Sequence, residues 1–251
     1  MLNKFGTYRY LARHLRIGED RRHEYNPALS CPRLLFFPLS NQDEALNVAC
    51  LDLEGVLTPE IWIAFAEHTG IDGLRDTTRD EPDYHVLMGQ RLRLLRENGY
   101  GLADVQQVIA RLTPLPGALD FLRRLRERCQ TIIVSDTFYE FAMPLMRQLE
   151  FPTLLCHRLE VDAKGDITGY RLRQEDAKRE TVRGFQALNY RVTAAGDSYN
   201  DTSMLAQADI GFFFDPPDNL LSEFPQFPVT RNYQELSDAF AASAAEFEGP
   251  N

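Results

Sequence analysis

The sequence predicts an α/β protein: an open parallel sheet covered by helices, with a helical segment inserted after the first strand. Three observations carry this. From Val48 onward, short apolar runs alternate with amphipathic helical ones. Three of the apolar runs end in polar residues, in "ACLDLEG", "TIIVSDT" and "TAAGDSYND". About 60 residues of helical pattern separate the first strand from the second. Alternation of strand and helix indicates a parallel sheet, because parallel neighbours need a crossover between them.

The elements follow in order. "VACLDL" (48–53) is a short buried strand. "PEIWIAFAEHTG" (59–70) is an amphipathic helix with Pro59 at its first position, where a missing N–H is harmless. "PDYHVLMGQRLRLLRENG" (82–99) and "LADVQQVIARL" (102–112) are further helices, as is "PGALDFLRRLRERC" (116–129). The strand "TIIVS" (131–135) comes next, then the helix "FYEFAMPLMRQLE" (138–150). "CHRLEVDAKGDITGYRLR" (156–173) is a hairpin turning at "AKGD". A helix (178–189), a strand (191–197), a helix (200–209) and a strand (210–215) complete the pattern. This gives a Rossmann-like α/β core over 47–58 and 114–251, a helical cap over 59–113 and an N-terminal extension over 1–46.

Composition narrows the classes of function. The formal charge of −10 argues against a general nucleic-acid binder, which needs clustered Lys and Arg. No apolar run approaches the ~20 residues of a membrane helix. Cys31, Cys50, Cys129 and Cys156 have neither CxxC pairing nor zinc-like His spacing, and they read as buried thiols of a reducing, cytoplasmic compartment. Residues 1–46 hold seven Lys or Arg against five acids, so the rest carries −12. Phe5, Tyr8, Ala12 and Leu15 recur there at helical spacing beside basic residues, but the apolar stripe is too weak for a targeting helix. The segment reads as a poorly ordered extension, or as the product of an upstream start assigned to a protein that begins near Leu46.

The polar strand ends hold the chemistry. In an open α/β sheet the ligand lies beyond the carboxyl ends of the strands. A strand period of two sends Asp52 and Glu54 to the same side, and Gly55 then breaks the strand. Two carboxylates in one small volume repel, so their pKa values separate: one stays ionised and attacks, the other carries a proton to a leaving oxygen. Asp is a competent nucleophile toward phosphorus and needs no base to activate it. Its approach to an anionic phosphate requires a cation and fixed donors. Asp197 is placed as a second carboxylate for Mg²⁺, Ser135 and Thr58 offer hydroxyls, and Lys178 offers a point charge. Either Asn200 or Asp201 also suits a helix cap, and Lys178 or Ser135 taken singly is a common surface charge or turn former. The ordered set DxExxxT, strand-Ser, Lys and GDxxND is far more specific than any member alone.

That set resembles the haloacid dehalogenase superfamily, and more narrowly its phosphoserine phosphatase branch. "CLDLEGVL", "PEIWIAFAE", "SDTFYEF", "FPTLLCH", "AAGDSYNDT" and "EFPQFP" are together similar to the bifunctional phosphoserine phosphatase/homoserine phosphotransferases of the ThrH type. The likeness spans roughly 48–233. It implies a core of the haloacid dehalogenase type, with Asp52 as the phosphorylated nucleophile and Glu54 as the general acid/base, where the superfamily usually has Asp. It implies Mg²⁺ at Asp52, the Glu54 carbonyl and Asp197, supported by Asp201, and phosphate held by Ser135 and Lys178. Glu60 and Arg91 match the pair that takes the ammonium and carboxylate of an amino-acid phosphate, with Tyr84 as a wall and Asn200 beside the site. A glycine pair follows the motif Ser in that branch, whereas Asp136 and Thr137 follow it here.

The expected activity is therefore Mg²⁺-dependent transfer of phosphoryl from phosphoserine through Asp52 to water or to homoserine. The alternatives are a phosphatase of another small phosphate ester and a signalling receiver. A receiver also uses a phosphorylated Asp, Mg²⁺, a hydroxyl and a Lys, but it has no use for a proton donor at Glu54 or for a cap. A dinucleotide oxidoreductase is set aside because no GxGxxG follows the first strand. The oligomeric state is left open, with a homodimer among the choices.

Overall fold

The strands β1 (Asn47–Leu51), β2 (Gln130–Phe138), β3 (Thr153–Val161), β4 (Ile167–Arg171), β5 (Arg191–Gly196), β6 (Ile210–Phe214) and β7 (Val229–Thr230) form one sheet of order β4-β3-β2-β1-β5-β6-β7. This computed structural model describes residues 46–77, 80–81 and 83–248. The expectations for the N-terminal extension, and Cys31, fall outside them. Every pairing is parallel except β3 with β4, the expected hairpin, whose turn spans 162–166.

The helices are α1 (Ile61–Thr69), α2 (Tyr84–Glu97), α3 (Leu102–Ile109), α4 (Ala118–Arg126), α5 (Tyr139–Gln148), α6 (Ala177–Ala187), α7 (Thr202–Gln207), α8 (Asp218–Glu223) and α9 (Tyr233–Glu248). Pro59 lies before α1, whose cap is Glu60. Helix α2 starts at Tyr84 because the Asp83 carboxylate accepts the His85 and Val86 N–H groups, at 2.8 and 3.2 Å.

Period-two alternation distributes each central strand between two cores. Ala49, Leu51, Ala195, Phe212 and Phe214 pack with α4 and α9 through Phe121, Leu125, Leu236 and Phe240. Val48, Cys50, Val192, Ala194 and Phe213 pack on the opposite face with Val182, Met204, Leu205 and Leu220. Both faces being covered explains why these strands read as continuous apolar runs. A third cluster joins α1, α2 and α3, through Phe65, Leu92 and Val105, to Phe141, Leu145, Leu159 and Ile167. Thus the inserted helices rest on α5 and the β3–β4 hairpin.

Three features differ from the sequence expectation. β2 runs on through Asp136 and Thr137 to Phe138, with its register to β3 shifting between Val134 and Phe138. The chain after Asp215 adds α8, β7 and α9. Cys50 and Cys156 are buried as expected, but Cys129 is only partly so; these three described thiols are free.

Candidate active site

The order of the sheet places a switch point at β1. The chain leaves β1 toward β2 on one side and meets β5 on the other. Asp52 and Asp197 follow directly on β1 and β5, and Ser135 lies on β2 beyond its last residue paired with β1, at the position where open α/β sheets bind ligands.

β1 ends at Leu51, so it is a tight loop and not strand periodicity that delivers Asp52 and Glu54 to one cleft. The Asp52 N–H still donates to the Ala195 carbonyl at 3.0 Å. The Leu53 carbonyl then accepts the Leu57 and Thr58 N–H groups, at 2.8 and 2.9 Å, and Gly55 N–H closes the loop onto the Thr58 carbonyl at 2.8 Å. Gly55 has φ +78°, and a Cβ there would lie 2.3 Å from Asp197 Cγ, so only glycine allows this approach. The Thr58 hydroxyl also donates to the Leu53 carbonyl, at 3.2 Å, and the residue is fully buried. Thr58 therefore braces the loop from behind and does not face the cleft.

Lys178, at the start of α6, is the electrostatic centre. Its Nζ lies 2.7 Å from Asp201, 3.1 Å from Asp52 and 3.7 Å from Asp136. Burial pushes its pKa down, but these three carboxylates outweigh it and hold Lys178 well above the usual range. Asp52 is pushed well above the carboxylate range, first by burial and then by Asp201, against the pull of Lys178. Its Oδ1 accepts the Leu53 N–H at 2.7 Å.

The Asp52, Asp197 and Asp201 carboxylates bring oxygens within 4.8 Å of one another, a group suited to a metal ion. Asp201 orients the rest. Its Oδ2 accepts the Asp197 and Ser198 N–H groups at 3.0 Å each and lies 3.2 Å from the Ser198 hydroxyl oxygen, while Oδ1 accepts from Lys178. Asn200 accepts the Ser198 hydroxyl at 2.5 Å and donates to Asp136 at 2.8 Å.

Glu54 reaches the opposite way. Its Oε2 accepts the Ile61 N–H at 2.8 Å, satisfying the first donor of α1 and tying the loop to the inserted helices. Burial, followed by repulsion from Glu60, raises its pKa to about 8, against the hydrogen bonds from Ile61 and Thr137. It is thus a carboxyl that holds a proton near neutrality, in the same cleft as one in contact with a lysine.

These groups line a cleft of about 320 Å³ that also presents Glu60, Arg91, Trp62 and Ser135. The Arg91 guanidinium lies 4.8 Å from the centre of the Trp62 ring and donates to the Asp76 carbonyl at 2.8 Å. Its Nε is buried without a hydrogen-bond partner. Burial lowers the Arg91 pKa, with Glu54 opposing. The Ser135 Oγ accepts the Thr137 N–H at 3.2 Å. The Tyr84 hydroxyl donates to the Asp136 carbonyl at 3.0 Å.

The structure thus brings Asp52, Glu54, Glu60, Arg91, Ser135, Lys178, Asp197 and Asn200 to one cleft, with Asp201 buried beneath it and Thr58 behind. Sequence reasoning missed Trp62, the chain's single tryptophan, and gave no task to Asp136 or His157. The departure from glycine at 136 was the one available signal; His157 gave none.

Comparison with known proteins shows the family and the fold. A model of haloacid dehalogenase-like hydrolases matches residues 46–209. The chain is 60% identical over 200 residues to "Phosphoserine phosphatase ThrH" of Pseudomonas aeruginosa, covering 80% of this chain and 98% of that one. It is 62% identical over 196 residues to a phosphoserine phosphatase of Pseudomonas syringae pv. tomato, covering 78% and 83%. Among solved structures, a phosphoserine phosphatase from T. onnurineus superposes with a TM-score of 0.63 at 23% identity, over 85% of this chain and all of that one. A phospho-aspartyl intermediate analogue of phosphoserine phosphatase gives 0.65 at 20%, over 78% and 99%. At such identities these two structures speak to the fold alone.

Proposed function

Because this chain belongs to the haloacid dehalogenase-like hydrolases, we propose that it is a phosphoserine phosphatase whose nucleophile is Asp52. The observation that carries the reading is the convergence of Asp52, Lys178, Asp197 and Glu54 at the carboxyl ends of β1 and β5.

Asp52 attacks phosphorus and takes the phosphoryl group, and the bond to the serine oxygen breaks. Glu54, which holds a proton to about pH 8, passes it to that oxygen as it leaves. Deprotonated, Glu54 then takes a proton from the acceptor that attacks the aspartyl-phosphate. With water as acceptor the product is inorganic phosphate; with homoserine it is phosphohomoserine. Lys178 and Ser135 hold the phosphoryl oxygens.

The donors at Asp52, Asp197 and the Glu54 carbonyl are hard oxygens, which suit Mg²⁺. Such an ion would bind a phosphoryl oxygen and offset the charge between nucleophile and substrate. Asp201, occupied by the Lys178 ammonium and the Asp197 and Ser198 N–H groups, holds Asp197 and Lys178 in place.

Residues 59–113 serve as the cap over a core of 47–58 and 114–251, and the cap supplies recognition. Arg91 pairs with the substrate carboxylate and Glu60 with its ammonium, while Tyr84 walls the cleft. Free buried thiols fit a reducing cytoplasm. No described helix is long and apolar enough to cross a membrane.

The test is turnover of L-phosphoserine with Mg²⁺, with and without homoserine, following free phosphate and phosphohomoserine. Release of serine with either phosphorylated product supports the reading. No turnover with either acceptor, in a folded protein that hydrolyses other phosphate esters, overturns the substrate.

A further inference from the structure

Asp136 follows Ser135 on β2 and has no part in the steps above, yet its carboxylate is held on several sides. Oδ2 accepts Asn200 Nδ2 at 2.8 Å and lies 3.7 Å from Lys178 Nζ. Oδ1 lies 3.5 Å from His157 Nε2. His157, on β3, is buried, and its Nδ1 accepts the Arg173 N–H at 3.1 Å. That bond fixes the ring so that Nε2–H faces Asp136. The Asp136 carbonyl in turn accepts the Tyr84 hydroxyl of α2.

An ammonium has three N–H donors. Around Lys178 stand three carboxylates, with Asp201 nearest, then Asp52, then Asp136. Asp52 is the one whose oxygen must leave the ion pair to bond phosphorus. With only Asp201 opposing it, the cation would settle closer to Asp52 and hold the nucleophile back. A charge on a third side offsets part of that pull, and when Asp52 turns to phosphorus the donor it held passes to a phosphoryl oxygen.

We propose that Asp136, fixed by His157 and Asn200, is a positioning residue that limits how closely the Lys178 ammonium approaches Asp52 and aims it at the phosphoryl group. It acts through Lys178 and does not itself touch the reacting atoms. The proposal rests on the aspartyl-phosphate reading above.

The test compares Asp136→Asn, His157→Phe and His157→Gln with the unmodified protein, using a simple phosphate ester without ammonium or carboxylate. Melting temperatures check folding, and a crystal structure of Asp136→Asn reads the position of Lys178 without any turnover. The expected result is a fall in kcat of about 10- to 100-fold, the scale of an ångström-sized misplacement, with KM changed less than kcat. Lys178 Nζ should sit nearer Asp52 in the variant. His157→Phe should lose activity in the same direction, His157→Gln should recover part of it by restoring an N–H donor, and the Asp136→Asn/His157→Phe double variant should be no worse than Asp136→Asn alone.

A folded Asp136→Asn protein with kcat within about threefold of the unmodified one, or with Lys178 unmoved, overturns the proposal. So do losses at 136 and 157 that multiply independently. If Asp136→Asn does not fold, the His157 pair decides: equal activity of Phe and Gln overturns the proposal. Absence of turnover in the unmodified protein would count against the phosphatase reading, leaving Lys178's position to judge this one.

Discussion

Replacing Arg91 by Ala separates recognition of the amino acid from chemistry at phosphorus. The side chain is 8% exposed, rests on Trp62 and keeps its Nε buried without a partner. A buried guanidinium donor with nothing to bind is costly, and a substrate carboxylate would satisfy it. Hydrogen bonds to charged groups contribute about 1.5–3 kcal/mol each, so losing one lowers kcat/KM by about 10- to 150-fold. The loss should fall on phosphoserine and spare a phosphate ester without a carboxylate. Arg91→Lys should recover little, because an ammonium lacks the planar fork and stacks poorly on Trp62. The assay is kcat/KM for both substrates on each variant, with melting temperature as a control. Equal losses on both substrates, in a folded protein, would refute the assignment of Arg91 to the carboxylate.

Three other outcomes are expected. Because Glu54 is raised to about 8 and acts first as an acid, kcat/KM for an alkyl phosphate should fall as pH rises through that value. Glu60→Gln removes a neighbouring negative charge and should move that fall to lower pH, while an aryl ester with a good leaving group should not show it. Gly55→Ala forces a Cβ within 2.3 Å of Asp197 Cγ at φ +78°. It should lower the melting temperature, with left-handed strain alone costing about 1–2 kcal/mol, and should weaken metal binding in a calorimetric titration. Chelation of divalent ions should abolish turnover and added Mg²⁺ should restore it; full activity in chelator would contradict the assignment of Asp52 and Asp197 as ligands.

The central sheet was legible because its strands are buried on both faces, which yields unbroken apolar runs ending in polar residues. Asp52, Ser135 and Asp197 stood out because the carboxyl end of a parallel strand is where such residues are tolerated. Thr58 carried a hydroxyl at the right spacing, but it turns back to the Leu53 carbonyl, which also accepts the Leu57 and Thr58 N–H groups. The path of β2 beyond Ser135 depends on a register shift against β3, which no local pattern encodes. His157 faces Asp136 only because β2 and β3 are neighbours. Helix α9 has a readable stripe, Leu236 and Phe240, that completes the core beside α4.

The covalent role of Asp52 can be tested most directly by acid-quenching the protein during turnover of phosphoserine labelled in its phosphoryl group and mapping the labelled residue. The account predicts an acyl phosphate on Asp52, absent from Asp52→Asn, that discharges on adding acceptor. Sustained turnover with label on another residue, or retained by Asp52→Asn, would contradict it.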